Sequence, residues 1–220
     1  MAKKLLGGGA PLRLSIDEQL EEIGVVAYDF DGTITARDSF MAFLRWRVSF
    51  PRFAKGLFRL IPATLLYLFN RDRGRLKAAA VKEFLAGLPK ETLEAEALSF
   101  VEHQAPNLLR PDALRSWRYW QQRHAKLVIV TASPDLIIAP FARGLAADTL
   151  IATELAVDDK GRLTGGFASP NCRGPEKVKR LRALFGDDIK LAAAYGDTSG
   201  DTEMLKLAVH AGYREFREKP

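Results

Sequence analysis

The sequence has almost none of the residues that build disulfide frameworks or zinc sites. Cys172 is its only cysteine, so no internal disulfide can form, and a reducing, cytoplasmic setting is the expectation. The three histidines, His103, His124 and His210, stand far apart, and no histidine–cysteine spacing matches a zinc site. Long hydrophobic runs are missing too. The cleanest, Leu57–Phe69, contains Arg59 and Pro62 and is too short to span a bilayer. The opening stretch MAKKLLGGGAPLRLS has only a two-residue apolar step before its glycines, too little for a signal-peptide core; residues 1–22 read as an N-terminal extension.

The chain does contain an alternation of short apolar runs and helical patterns. Strands are expected at Val25–Tyr28, Leu127–Val130, Leu150–Thr153 and Lys190–Tyr195, each bounded by charge, glycine or proline. LAVDDKGRLTGGF reads as a hairpin turning at Asp159-Lys160-Gly161. This order predicts an α/β fold, a three-layer Rossmann-like parallel sheet with helices on both faces. The first two strands are separated by far more chain than one crossover helix needs. Helical periodicity over Ser39–Ser49, Arg52–Phe69, Arg73–Ala86 and Glu91–Gln104 fills the gap, and another helix, Ala113–Arg123, leads into the second strand. The expected organisation is a core of residues 23–36 and 111–220 interrupted by an all-helical insert at 37–110.

Charge singles out the same insert. Between Ala36 and Arg75 nine Arg/Lys stand against Asp38 and Asp72, so this segment carries +7 while the whole chain carries +6. Phenylalanines (Phe40, Phe43, Phe50, Phe53, Phe58, Phe69) alternate with those cations. Such a basic, aromatic helix can lie on an anionic membrane surface, or its rings can form the insert's own core.

Four polar clusters fall where strands end or the next helix begins: Asp29-Phe30-Asp31-Gly32-Thr33, Thr131-Ala132-Ser133-Pro134, Lys177 in NCRGPEKVKRL, and Gly196-Asp197-Thr198-Ser199-Gly200-Asp201. In open parallel sheets ligands bind beyond the carboxyl ends of the strands. Two carboxylates two positions apart at the end of a buried strand repel each other unless a cation lies between them. Taken singly, each cluster has a plain reading. DxDG can be a solvated turn, Thr131 a strand-end hydroxyl serving the backbone, Lys177 a solvated helix lysine, and Asp201 an N-cap. Taken together, the carboxylates, one lysine and one threonine suit a hard divalent cation beside a phosphate.

In this order the clusters resemble the four motifs of the haloacid dehalogenase superfamily of aspartate-nucleophile phosphohydrolases, over roughly Val25 to Tyr213. The insert between the first and second motifs is similar to the C1-capped, phosphoserine-phosphatase-like branch. TASP, CRGPEKV and the insert are similar to its phosphatidylglycerophosphatase C group. The resemblance implies Asp29 as nucleophile and Asp31 as general acid and base. It implies Mg²⁺ held by Asp29, Asp197 and the backbone carbonyl of Asp31, and phosphate held by Thr131, Lys177 and N–H groups near Gly32, with Asp201 in support. Relatives that cleave carbon–halogen bonds lack an acid at the Asp31 position, so its presence favours phosphoryl transfer.

Asp38 matches a glutamate that reads the substrate's amino group in phosphoserine phosphatases, and it is equally a candidate N-cap for the helix at Ser39. The expected substrate is a phosphomonoester, either a lipid headgroup phosphate such as phosphatidylglycerophosphate or a small metabolite such as phosphoserine. Peripheral contact with the inner membrane face would accompany the former. A basic binding protein that has lost turnover, adapting to membrane or nucleic acid, is the reading of another class. The intact acid pair and Lys177 argue against it, and no specific nucleic-acid partner is expected.

Overall fold

The computed structural model describes residues 24–70 and 73–220; the expectation for residues 1–22 lies outside the described residues. Among the described residues, β1 Val25–Tyr28, β2 Lys126–Pro134, β3 Thr149–Thr153, β6 Leu191–Gly196 and β7 Ala208–Tyr213 form one parallel sheet, in the order β3-β2-β1-β6-β7. β1 lies in the middle, pairing with β2 on one side and β6 on the other. Alternation along the strands sends successive side chains to opposite faces. Val26, Tyr28, Leu127 and Ile129 enter one apolar cluster, and Ala27, Val128 and Val130 enter the other.

The insert after β1 holds, among the described residues, α1 Ser39–Arg47, α2 Phe50–Arg59, α3 Ile61–Asn70, α4 Arg73–Leu85 and α5 Lys90–Gln104. α6 (Pro111–Gln121) then returns the chain to the sheet, α7 (Asp135–Gly144) follows β2, α8 (Pro175–Phe185) precedes β6, and the short α9 (Thr202–Leu205) precedes β7. The two passages between sheet and inserted helices run side by side. Ala36 N–H donates to Leu108 O and Arg110 N–H donates to Ile34 O, a pair of backbone bonds that ties entry to exit. A second tie comes from the antiparallel hairpin β4 (Leu155–Val157) and β5 (Leu163–Phe167), which exchanges backbone bonds with residues 87–90.

Two expectations are corrected. The single helix over Arg52–Phe69 is two helices that meet at Leu60. Pro62 has no N–H to continue the ladder, so the first helix closes with Leu60 N–H on Gly56 O and a new helix starts at Ile61, with Pro62 in its first turn. The second correction is an added strand, β7, formed by AVHAGY. Its alanines, glycine and histidine lack the apolar weight of the other strands because it is a sheet edge and largely exposed. Within the insert, α2 crosses α4 at Gly56, where a β-carbon would come within 2.2 Å of the Phe84 ring.

Candidate active site

The four clusters meet at the carboxyl end of the sheet. Asp29 caps β1, its backbone N–H bonded to Tyr195 O of β6 at 2.8 Å, so the strand pairing itself fixes where its carboxylate starts. Its Oδ1 accepts from Lys177 Nζ at 2.6 Å, and its Oδ2 faces the Thr33 hydroxyl at 3.4 Å. Lys177 is not the solvated lysine of the local reading. It is 1 % exposed, and its ammonium also donates to Asp201 Oδ1 at 2.7 Å and Val130 O at 2.6 Å. All three of its donors are therefore taken. In this arrangement it positions two carboxylates, and holding a phosphate oxygen would require one of them to let go.

Asp201 does not cap α9. Its Oδ2 accepts from the N–H and hydroxyl of Thr198 at 2.9 and 3.0 Å, closing the tight turn after β6 that carries Asp197. Gly32 makes room for Asp197: it has φ of +84°, and a β-carbon there would lie 2.2 Å from Asp197 Oδ2. Asp29, Asp197 and Asp201 each offer a carboxylate oxygen within 4.8 Å of the others. Asp197 Oδ1 is buried with no hydrogen-bond partner among the described residues. An orphaned buried carboxylate oxygen beside two more carboxylates is a donor set suited to a hard divalent cation.

Asp31 belongs to the same cavity but turns its carboxylate away from that trio. Oδ1 accepts from the Ser39 N–H at 2.7 Å, and Oδ2 accepts from the Ser133 hydroxyl. The DxD alternation thus gives the two aspartates separate surroundings, one against a buried ammonium and one at the seam with α1. Thr131 is buried and its Oγ1 accepts from the Ser133 N–H at 3.1 Å, which leaves its O–H free to donate into the cavity. Asp38 caps α1 through a 2.8 Å bond from Met41 N–H and also lines the cavity.

The electrostatics follow from two carboxylates sharing one ammonium. Burial would push Asp201 up, but Lys177 and the Thr198 donors hold it below the usual carboxylate range. Asp29 carries the excess. Burial outweighs the pull of Lys177, with Asp201 adding repulsion, and its carboxyl is pushed up to about 7. Burial works against the Lys177 ammonium, yet Asp29 and Asp201 together raise it to about 12. Asp197 is raised by burial and by Asp201, and Asp38 by burial and by Asp31.

Three further side chains act at this site without a signal in the sequence strong enough to single them out. Ser133, two residues past Thr131, holds Asp31. Arg173 reaches the hydroxyls of Thr198 and Ser199 at 3.4 and 3.2 Å, bracing the turn that carries Asp197. Lys77, from α4, crosses the seam to donate to Ala132 O at 2.9 Å and places a cation in the cavity wall. The cavity measures about 670 Å³. Its floor is the acidic cluster, and its far walls are apolar, drawn from Met41, Leu57, Leu60, Tyr67, Leu76 and Ala80.

Residues 26–206 match the haloacid dehalogenase-like hydrolase family. Protein CicA of Caulobacter vibrioides is 59 % identical over 196 residues, covering 89 % of this chain and 88 % of that one. Among solved structures, a Bordetella pertussis protein of unknown function superposes with a TM-score of 0.69 at 22 % identity, covering 83 % of this chain and 86 % of that one. A phosphoserine phosphatase solved as a phospho-aspartyl intermediate analogue superposes with a TM-score of 0.54 at 20 % identity, covering 84 % and 82 %. With the family matched across most of its length and the motif residues gathered at the ends of its strands, the chain belongs to the haloacid dehalogenase-like hydrolases.

Proposed function

We propose that this hydrolase cleaves phosphate monoesters through a covalent phosphoryl-Asp29 intermediate. The observation that carries the reading is the division of labour between the two aspartates of DFDGT: Asp29 is clamped against Lys177, while Asp31 is held apart by Ser39 and Ser133. Asp29 attacks phosphorus as the bond to the leaving oxygen breaks, and Asp31 supplies that oxygen's proton. A water then attacks phosphorus, giving its proton to Asp31, and the bond to Asp29 breaks to release phosphate. The Ser133 hydroxyl can donate to Asp31 when it is ionised and accept when it is protonated, so it serves both halves. Thr131 and the N–H groups around Gly32 receive phosphate oxygens. Mg²⁺, held by Asp29 and Asp197 with Asp201 beside them, would supply a divalent charge against the phosphate oxygens. The phosphoserine phosphatase solved as a phospho-aspartyl intermediate analogue supports the covalent step for a protein of this fold.

For the substrate, the shape of the insert favours a phosphate monoester on an apolar tail, met at an anionic membrane surface. α3 carries no charged side chain, and Leu65, Leu66, Leu68 and Phe69 are exposed, Phe69 by 87 %. Its other side, Thr64 and Tyr67, joins Leu57 and Leu60 in the cavity wall. Lys55 and Arg59, on the preceding helix α2, are exposed, Arg59 with Glu83 at 3.2 Å. No helix among the described residues is long and apolar enough to cross a membrane, so contact of this kind would be peripheral. Asp38 and Lys77 favour a second reading, a small zwitterionic phosphoester such as phosphoserine, because they place one charge of each sign in the cavity.

Magnesium-dependent phosphate release from a panel of phosphatidylglycerophosphate in vesicles, phosphoserine and nucleoside monophosphates tests both. Preference for the vesicle substrate supports the first reading and preference for phosphoserine the second. No turnover of any phosphomonoester, including a generic aryl phosphate, sinks the chemistry.

A further inference from the structure

Next to the catalytic cavity lies a wider, open one of about 1100 Å³. The two meet at Gly32, Ala36, Arg37 and Asp197. Beyond that seam the second cavity is lined by Arg110, Arg214, Arg217 and Lys219, with the amides of Gln104 and Asn107 between them. Four arginines and a lysine thus face a single lining carboxylate side chain, Asp197, and that carboxylate belongs to the catalytic cluster.

The tail that follows β7 builds this wall. Arg214 turns the chain with φ of +53°, and the next residues run across the start of α6. There Asp112 Oδ2 accepts the backbone N–H groups of Arg217 and Glu218 at 2.6 and 3.0 Å. The Glu218 carboxylate is taken by Arg115, with contacts of 2.5 and 3.0 Å, so it does not neutralise the cavity.

The arginines of the cavity are held by carbonyls instead. Arg37 donates to Asn107 O at 3.1 Å, Arg110 to Glu218 O at 2.9 Å, and Arg214 to Asp197 O at 2.8 Å. A carbonyl orients a guanidinium without cancelling its charge, and each of these groups keeps further N–H donors. Arg110 Nε is buried with no partner among the described residues. Like charges brought together in this way repel unless an anion joins them.

We propose that this second cavity binds an oligophosphate anion, a chain of two or more phosphate groups, at a site distinct from Asp29. Guanidinium forks match phosphate oxygens two at a time, and several forks around one open cavity suit several adjoining phosphates. A single phosphate would balance only part of the charge.

Inorganic tripolyphosphate, titrated calorimetrically into the full chain in metal-free buffer of low ionic strength, tests this. It is expected to bind one per chain, about tenfold or more tighter than inorganic phosphate. Arg217→Glu is expected to weaken that binding by about tenfold or more, since it replaces a cation of the wall with an anion. The Arg217 side chain makes only a 3.4 Å contact to Arg214 O, so the fold and the turnover of an aryl phosphate should persist. Lys77→Ala, in the catalytic cavity, is expected to leave tripolyphosphate binding unchanged. Binding lost in Lys77→Ala and kept in Arg217→Glu would put the anion in the catalytic cavity and overturn the proposal. Equal affinities for phosphate and tripolyphosphate would overturn it as well. The readout is binding alone, so it stands apart from the outcome of the turnover panel.

Discussion

Lys177 Nζ lies 2.6 Å from Asp29 Oδ1, and the two side chains are 2 % and 10 % exposed. A charge pair at that depth is maintained by its geometry, and the same ammonium also holds Asp201. Lys177→Met should therefore leave two buried carboxylates facing each other, an uncompensated loss of about 3–5 kcal/mol. Urea unfolding of the metal-free protein checks the size. Adding Asp201→Asn to that variant should recover part of the loss, and full additivity of the two substitutions would contradict the shared clamp.

Asp29→Asn should behave in the opposite sense for stability and abolish turnover. The amide cannot attack phosphorus, but it also removes a carboxylate that burial disfavours. The expected result is a folded protein, at least as stable as the parent without metal, with no phosphate release above background. Turnover near the parental rate would remove Asp29 from the role of nucleophile.

Asp31→Asn separates the two halves of the reaction. An aryl phosphate has a leaving group good enough to depart without the acid, whereas hydrolysis of the intermediate still needs the base. The variant should consequently trap phosphoryl-enzyme, visible by intact-mass spectrometry as one added phosphoryl group that is lost on prolonged incubation. Ser133→Ala, which removes one holder of Asp31 and leaves the carboxylate in place, should slow both halves by about tenfold without trapping either.

The proton on Asp29 gives the metal-free protein an unusual dependence on pH. Its folded-state carboxyl sits near 7 against 3.8 for the ordinary group, so the folded state holds this proton more tightly than the unfolded one. The resulting stabilisation is full below about pH 4 and is lost as pH rises through 7. Asp38 and Asp197, also raised, contribute with the same sign. Asp201, held low, has the opposite sign: its contribution is present above the ordinary carboxylate range and is lost only in stronger acid. The thermal midpoint of the chelated protein should accordingly fall between pH 5 and pH 8. Added Mg²⁺ should raise it more at pH 8 than at pH 5, since below about 7 the cation competes with a proton for Asp29. A chelated protein whose stability rises steadily over that window would contradict the assignment.

The strands and the four polar clusters were legible because each depends on a local pattern: a short apolar run, then a polar group where the strand ends. Lys177 shows the limit. Among Lys179, Arg180 and Arg182 on one helix, nothing local says which cation is buried; only the parallel pairing of β1 with β6 brings Asp29 to it. Lys77 is harder still, since its partners Ala132 and Ser133 lie on the far side of the helix–sheet seam. Pro62 marks the break at Leu60, but apolar residues recurring at helical spacing on both sides of it mask the break in the sequence. β7 gave no apolar alternation because an edge strand buries little.

That break gives α3 a test of its own. Because the helix restarts at Ile61, it presents Thr64 and Tyr67 to the cavity and Leu65, Leu68 and Phe69 away from it. Burying such outward apolar side chains in a lipid interface is worth about 1.5–3 kcal/mol each when complete. Replacing Leu65, Leu68 and Phe69 together with serine should sharply reduce co-sedimentation with anionic vesicles at low salt. Hydrolysis of a soluble aryl phosphate should be unchanged, since none of the three lines the cavity. Activity on a vesicle-borne phosphomonoester should fall in step with the sedimentation, through KM rather than kcat. Undiminished sedimentation would assign any membrane contact to another surface, and equal losses on soluble and vesicle substrates would mean that α3 shapes the cavity rather than docks.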